Sequence, residues 1–168
     1  MRIIFIVFLL LAKILSIAQD NPCPCCDEQH LQFDFWKGDW NVYDTTNTLV
    51  GTNLVVKLEN GCILQENWKS INGGSGSSYN YFNKTDSTWN QVWIDSQGGV
   101  LELKGSFVGN KMTLKSELTK GSKGGLYYNQ ISWTPNSDGT VTQLWEIYAE
   151  NGKLINTSFK GIYKRKTS

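Results

Sequence analysis

Turn signals recur about every ten to fifteen residues from residue 38 onward, and this spacing limits the fold more than any other feature of the chain. Clusters of Gly, Asn, Asp and Ser separate short stretches of β-branched and aromatic residues, and no helical periodicity is longer than two turns. Short turns of this kind join antiparallel neighbours. The pattern predicts an all-β protein with about ten strands, at 38–45, 50–58, 62–71, 76–83, 88–95, 99–107, 111–118, 126–134, 140–149 and 153–165.

Alternation along these strands gives the predicted sheet one apolar face. Charged residues at alternate positions direct their neighbours inward, and the inward residues are Leu101, Leu103, Phe107, Met112, Leu114 and Leu118. In strand 50–58 we expect the inward residues to be Thr52, Leu54, Val56 and Leu58. Because the hairpins follow one another without a long crossover, a single antiparallel up-and-down β-barrel is favoured over a two-sheet sandwich.

The first 18 of the 168 residues predict an export signal. Arg2 precedes a run of about ten apolar residues, and small residues lead up to a cleavage site after Ala18. Lys13 interrupts the apolar stretch, which is shorter than the roughly 20 residues that a membrane-spanning helix needs. We expect an exported protein, periplasmic or secreted, without stable membrane insertion. Its segments are a signal peptide at 1–18, a Cys-rich tether at 19–30 and a barrel domain at 31–168.

Four cysteines follow the signal, at Cys23, Cys25, Cys26 and Cys62, and an even count in an exported chain predicts disulfides. Adjacent cysteines pair poorly and Cys62 lies alone after a turn, so we predict one bridge to Cys62, with Cys26 as the partner. The alternative is a soft-metal site of Cys23, Cys25, Cys26 and His30, since thiolates and imidazole bind copper(I) or zinc. The C-P-C-C spacing matches no recognised ligand pattern, and we therefore predict no metal.

Residues 31–40 read LQFDFWKGDW, an aromatic run that ends in Gly38, Asp39 and Trp40. This G-x-W segment resembles the lipocalin signature. The resemblance implies a short N-terminal helical turn, a Trp40 packed across the barrel base, and Arg165 of the last strand covering it. Together with FDFW-x-G-x-W and W-x-Q-x-W-x-D motifs, the segments GCILQENW, GSSYNYFN, GNKMTL and TQLWEIY resemble a family of uncharacterised exported bacterial calycin-like barrel proteins. That resemblance implies a lipocalin-like barrel and export, and it implies no reaction.

The charge and the residue inventory exclude several classes of function. The formal net charge is +1, and it falls to −1 without Arg2 and Lys13, so no basic excess exists to bind nucleic acid or an anionic membrane. No nucleotide-binding loop or nucleophile elbow occurs. His30 is the only histidine and precedes the barrel, so a His-dependent triad cannot form and the proximal ligand of haem-binding barrels is missing. We predict no cofactor.

Strand alternation also predicts polar side chains inside the barrel. In strand 62–71 the solvent-facing residues alternate with Glu66 and Trp68, and a carboxylate placed inside needs a partner or a proton. Strands 88–95 and 140–149 each place an indole and an amide side chain on one face. Strand 76–83 has no clear alternation, so Asn80 is a weaker candidate. The predicted ligand-binding residues are Glu66, Trp68, Asn80, Gln91, Trp93, Asp95, Gln143 and Trp145.

Three hypotheses follow from these residues. Large rings with a few convergent polar groups are typical of a small-molecule pocket, so the first is a binding protein for a small amphipathic or aromatic molecule. The second is an enzyme in which Glu66, with Asp95, performs proton transfer or hydrolysis. The third is a ligand-free structural protein of the cell envelope, whose amides satisfy the indole N–H groups of a filled core.

Overall fold

The computed structural model describes residues 23–122 and 124–167, so the predicted signal peptide lies outside the described residues. A four-residue helix α1 (Glu28–Leu31) and a 3-10 turn (Asp34–Trp36) precede the strands. No helix within these two ranges is long and apolar enough to cross a membrane. The strands are β1 (Gly38–Tyr43), β2 (Leu49–Leu58), β3 (Ile63–Ser70), β4 (Ser75–Asn83), β5 (Thr88–Asp95), β6 (Val100–Val108), β7 (Lys111–Lys115), β8 (Thr119–Lys120), β9 (Leu126–Pro135), β10 (Val141–Ala149) and β11 (Leu154–Arg165).

Ten of these strands close into one antiparallel up-and-down barrel, which confirms the predicted fold class. Strands β1 to β6 each pair with the next strand along the chain, β9 pairs with both β7 and β10, and β10 pairs with β11. Pairing of β11 with β1 closes the barrel and places Trp40 opposite Arg165. Closure removes the exposed edges that an open sheet of this size would leave. The two-residue β8 continues the seventh strand beside β9.

The prediction of inward residues is wrong for strand β2. Asn53 and Val55 are buried, whereas Leu54 is 46% exposed. The cause is the pairing with β1, which sets Asn53 opposite Trp40. Residues opposite each other in a sheet share a face, so the inward Trp40 fixes Asn53 inward despite its polarity.

The interruption between β7 and β8 corrects a second inward residue. The Ser116 hydroxyl donates to the Glu117 carbonyl and accepts from the Asn129 backbone N–H, which ends the regular ladder. Leu118 follows this irregularity and is 46% exposed instead of buried. Met112, Leu114 and Leu103 are buried as predicted.

A cluster of four aromatic residues, Phe33, Trp36, Trp40 and Trp133, fills one end of the barrel, which we call the closed end. The Phe33 ring stacks on Trp36 at 5.0 Å between centroids and meets Trp133 edge-on at 5.1 Å. The Trp40 indole donates to the Trp36 carbonyl at 2.8 Å. Outside this cluster the Arg165 guanidinium lies 4.4 Å from the Trp40 ring centroid, in the covering position that the lipocalin resemblance implies.

Two disulfides hold the N-terminal segment, and they correct the predicted pairing. Cys25, not Cys26, is bonded to Cys62, and Cys26 is bonded to Cys23. Cys25 is buried beside the turn that carries Cys62, whereas Cys26 is exposed and its backbone N–H bonds back to the Cys23 carbonyl. With all four sulfurs bonded in pairs, the thiolates of the alternative metal site do not exist in this structure.

The two bridges should differ in their effect on stability. Cys25–Cys62 spans 37 residues and Cys23–Cys26 spans 3. Loop-closure entropy predicts losses of about 4 kcal/mol for the long loop and about 2 kcal/mol for the short one. We expect urea unfolding to give a larger loss for Cys25→Ser/Cys62→Ser than for Cys23→Ser/Cys26→Ser. Equal losses, or a larger loss for Cys23→Ser/Cys26→Ser, would contradict the conclusion that Cys25–Cys62 is the more stabilising bridge.

Candidate functional site

A cavity of about 240 Å³ occupies the barrel interior. Trp68 and Trp93 line it near the turns at 71–74 and 96–99, at the opposite end of the barrel from α1. We call this the open end. The lining residues are Glu66, Trp68, Gln91, Trp93, Leu101, Ile131, Gln143, Trp145, Ser158, Phe159 and Tyr163. Six of the eight predicted ligand-binding residues are therefore brought together around one cavity.

Glu66 lies deeper in the barrel than the tryptophans and is 5% exposed. Asn53 Nδ2 donates to Glu66 Oε1 at 2.7 Å, and Ser78 Oγ donates to Glu66 Oε2 at 2.8 Å. Both donors lie on strands next to β3. Ser78 of β4 is directly opposite Glu66, and Asn53 of β2 is two residues from Val55, the residue opposite Glu66. The carboxyl group thus has one hydrogen-bond donor on each oxygen.

These contacts belong to a continuous chain of buried hydrogen bonds. On one side of Glu66, Asn53 also donates to the Tyr163 hydroxyl at 3.3 Å, and that hydroxyl donates to Gln143 Oε1. On the other side, Asn80 Nδ2 donates to Ser78 Oγ at 2.9 Å and Gln91 Nε2 donates to Asn80 Oδ1 at 2.7 Å. We call this chain the polar layer: Gln143, Tyr163, Asn53, Glu66, Ser78, Asn80 and Gln91.

The aromatic residues toward the open end are held by backbone contacts that only glycine permits. A side chain at Gly51 would overlap the Trp68 indole, and a side chain at Gly76 would overlap the Trp93 indole. The Trp145 indole is fixed differently, by donating to Asn129 Oδ1 at 2.8 Å. These rings are therefore positioned before any ligand binds.

Asp95 and Asn80 do not line the cavity. The Asp95 carboxylate accepts from the backbone N–H groups of Gln97 and Gly99, both at 2.8 Å, so it caps the β5–β6 turn. The predicted pairing of Asp95 with Glu66 is wrong, because these turn N–H groups hold the Asp95 carboxylate and Asp95 does not reach the cavity that Glu66 lines. Asn80 is fully buried behind the lining residues, where it also donates to the Leu64 carbonyl.

Burial raises the pKa of Glu66 to about 7, while the hydrogen bonds from Ser78 and Asn53 lower it in part. Burial and the nearby Glu66 raise the pKa of Tyr163 well above its ordinary value, so the phenol stays neutral. Among the described residues that line the cavity, Glu66 is the only Asp, Glu, Lys, Arg or His. Its charge state near neutral pH therefore sets the charge of the whole site.

Five polar or aromatic residues of the cavity and the polar layer were missed by the sequence analysis: Asn53, Ser78, Ser158, Phe159 and Tyr163. Asn53 was missed because strand β2 was assigned the opposite phase, and Ser78 because strand 76–83 gave no alternation. Phe159 and Ser158 are consecutive yet both line the cavity, since the β10–β11 pairing shifts register between Trp145 and Glu146. A β-bulge of this kind breaks the two-residue period on which the prediction depends.

The described residues do not form a metal centre. Across 23–122 and 124–167, no group of three or more His, Cys, Asp or Glu side chains is placed to hold a metal ion. Among known proteins, no family model matches the chain and no curated sequence is significantly similar to it. The cavity is therefore the feature from which a function can be inferred.

Replacement of Glu66 by Gln should flatten the pH dependence of stability. Since the pKa is about 7 in the folded protein against 4.5 ordinarily, the folded state retains a proton that the unfolded state has lost. The stabilisation is complete below the lower value and is lost as the pH rises through the higher one. From pH 5 to pH 8 this loss amounts to about 2 to 3 kcal/mol, and Glu66→Gln should not show it.

Urea unfolding at both pH values measures this difference. The matched control is Glu102→Gln, which removes an exposed carboxylate from the outer face of β6 and should keep the wild-type slope. If the free energy of unfolding changed with pH in the same way in wild type and Glu66→Gln, burial would not raise the pKa of Glu66.

Proposed function

We propose that this chain is an exported calycin-like binding protein that holds a small amphipathic or aromatic molecule inside its barrel. The observation that supports this most directly is the cavity, in which aromatic rings surround a small number of oriented polar groups. Rings supply contact area for an apolar ligand body, and amide and carboxyl groups fix its orientation. The third hypothesis, a barrel filled by its own side chains, does not fit an interior with about 240 Å³ unfilled.

The cavity volume favours a compact ligand. Pockets for drug-sized molecules measure roughly 300 to 1,000 Å³. A volume of about 240 Å³ falls below that range and suits a single ring with a short polar substituent. The fixed positions of Trp68 and Trp93 against glycine backbone reduce the ordering cost of binding.

Two disulfides support an oxidising compartment, because such bonds persist mainly outside the cytosol. The hydrophobic segment at 1–18 and the resemblance to exported bacterial barrel proteins are the reasons for proposing export. The balanced charge gives no support for nucleic acid as a partner.

Acid–base catalysis by Glu66 is a second candidate, because a carboxyl group with a pKa of about 7 in a cavity suits proton transfer. Asp95, the residue suggested as a second acid–base group beside Glu66, caps a turn instead. Tyr163 is the other titratable residue of the lining, and its raised pKa keeps it a neutral phenol near neutral pH, so no phenolate is available to act as a base. Binding is therefore the function that we favour.

Side-chain NMR of the seven tryptophans tests the binding proposal. Trp68, Trp93 and Trp145 line the cavity, and the other four indoles do not. We expect titration with 2-phenylethanol to shift the three cavity indole N–H resonances along one saturable curve. The indoles at Trp36, Trp40, Trp89 and Trp133 should shift far less.

Trp93→Ala should weaken this binding by about tenfold, since it removes one wall of the cavity. Ile94→Ala is the matched control, because Ile94 is the next residue, faces out and is 50% exposed. Thermal unfolding of both variants checks that the barrel is intact. Shifts confined to the closed-end indoles, or none that saturate, would reject the proposed site.

A further inference from the structure

The cavity has an unbalanced acidic character. Its lining contains one carboxyl group and no Lys, Arg or His, within the part of the chain that the structure describes. The lysine nearest along β3 is Lys69, which faces solvent, and Lys57 of β2 is paired with Asp34 at 2.6 Å. The described residues therefore provide no counterion for Glu66.

The polar layer is nevertheless oriented to stabilise an ionised carboxylate. Ser78 Oγ accepts from Asn80 Nδ2 at 2.9 Å, which leaves its own proton directed at Glu66 Oε2. Asn53 presents its N–H group to the other oxygen. Both carboxylate oxygens are thus acceptors, and each retains a free lone pair for one more donor.

Between this carboxylate and the open end, the cavity is lined by the rings of Trp68, Trp93, Trp145 and Phe159. The negative electrostatic potential of an aromatic face attracts cations, and tryptophan is the strongest of the aromatic side chains in this respect. A carboxylate behind several aromatic rings is an environment that stabilises an ammonium group and disfavours an anion.

We propose that the cavity selects a compact organic cation, an amine or quaternary ammonium on an apolar body, with the charged nitrogen placed against the Glu66 carboxylate. This inference rests on the proposed binding function and names the class of its ligand. The bound ammonium donates to, or lies beside, the free lone pairs of Glu66, and the apolar body contacts the indoles. An anionic ligand of the same size is repelled by Glu66.

Three ligands of nearly equal shape test the charge preference by isothermal titration calorimetry at pH 8. Phenethylamine is cationic, 2-phenylethanol is neutral and phenylacetate is anionic. We expect phenethylamine to bind about tenfold more tightly than 2-phenylethanol, and phenylacetate to bind most weakly. Binding of the alcohol as tight as that of the amine would overturn the inference and leave the proposed binding function standing. Absence of binding by all three would reject both.

Glu66→Gln separates charge from shape, because glutamine has nearly the same size as glutamate. Its amide oxygen can accept from Asn53, and its amide nitrogen lies at Ser78, whose hydroxyl then accepts instead of donating. In this variant the preference for the amine over the alcohol should disappear, whereas Glu102→Gln should retain it. An amine preference that survives in Glu66→Gln would overturn the inference.

The pH dependence of the wild type provides a measurement that needs no variant. The side chains that face Glu66 are Asn53 from β2, Ser78 from β4 and Tyr163 from β11, and of these only Tyr163 titrates, at a pKa well above the tested range. Phenethylamine stays protonated from pH 5 to pH 8. Its affinity should fall about tenfold on acidification to pH 5, while that of 2-phenylethanol stays constant. An amine affinity that does not fall would contradict the role of Glu66.

Discussion

The interior of this barrel is organised around one constraint: a carboxyl group is buried in a low-dielectric space, and no basic side chain of the described residues lies beside it. Isolated buried charge is costly, so such a group must be protonated, hydrogen-bonded or neutralised from outside. The barrel satisfies the second condition through Asn53 and Ser78, one donor for each oxygen. Burial still raises the pKa of Glu66 to about 7, so hydrogen bonding compensates the missing charge only in part. Near neutral pH, protonation of Glu66 therefore competes with its neutralisation by a positive charge from outside the protein.

The position of Glu66 divides the barrel into parts with different tasks. At the closed end, Trp36, Trp40 and Trp133 are completely buried and pack on one another, which provides much of the apolar core. Toward the open end, Trp68, Trp93 and Trp145 are only partly buried because a cavity replaces their remaining neighbours. The polar layer separates the two groups of rings and connects six strands, β2 to β5, β10 and β11, through side-chain hydrogen bonds. Rigid packing at one end thus supports a site with unfilled space at the other.

Sequence alternation predicted the barrel and most of the cavity, because inward and outward residues alternate regularly along the parts of β3, β5 and β10 that line the cavity. Glu66 and Trp68, for example, are separated by an outward residue, and both line the cavity. Alternation failed where another interaction sets the phase: pairing with Trp40 turns Asn53 inward, and a bulge lets Ser158 and Phe159 line the cavity together. Asp95 lies on the predicted face, but backbone N–H groups of the adjacent turn bind its carboxylate. The cysteine pairing depends on which side chain is buried, which spacing alone does not specify.

The cost of burying Glu66 and the proposed selection for a cation have the same physical origin. In the empty protein above neutral pH, an ionised carboxylate without a counterion lowers the stability of the fold. A cationic ligand removes that penalty when it binds, so part of its affinity comes from a destabilisation already present in the protein. Glutamine at position 66 would avoid the penalty, and it would also remove the attraction for the ligand. Proteins often keep an energetically unfavourable group, such as this buried charge, at a functional site and lose some stability as a result. We therefore interpret the position beside Glu66, where a basic side chain would be expected, as the position of the ligand's positive charge.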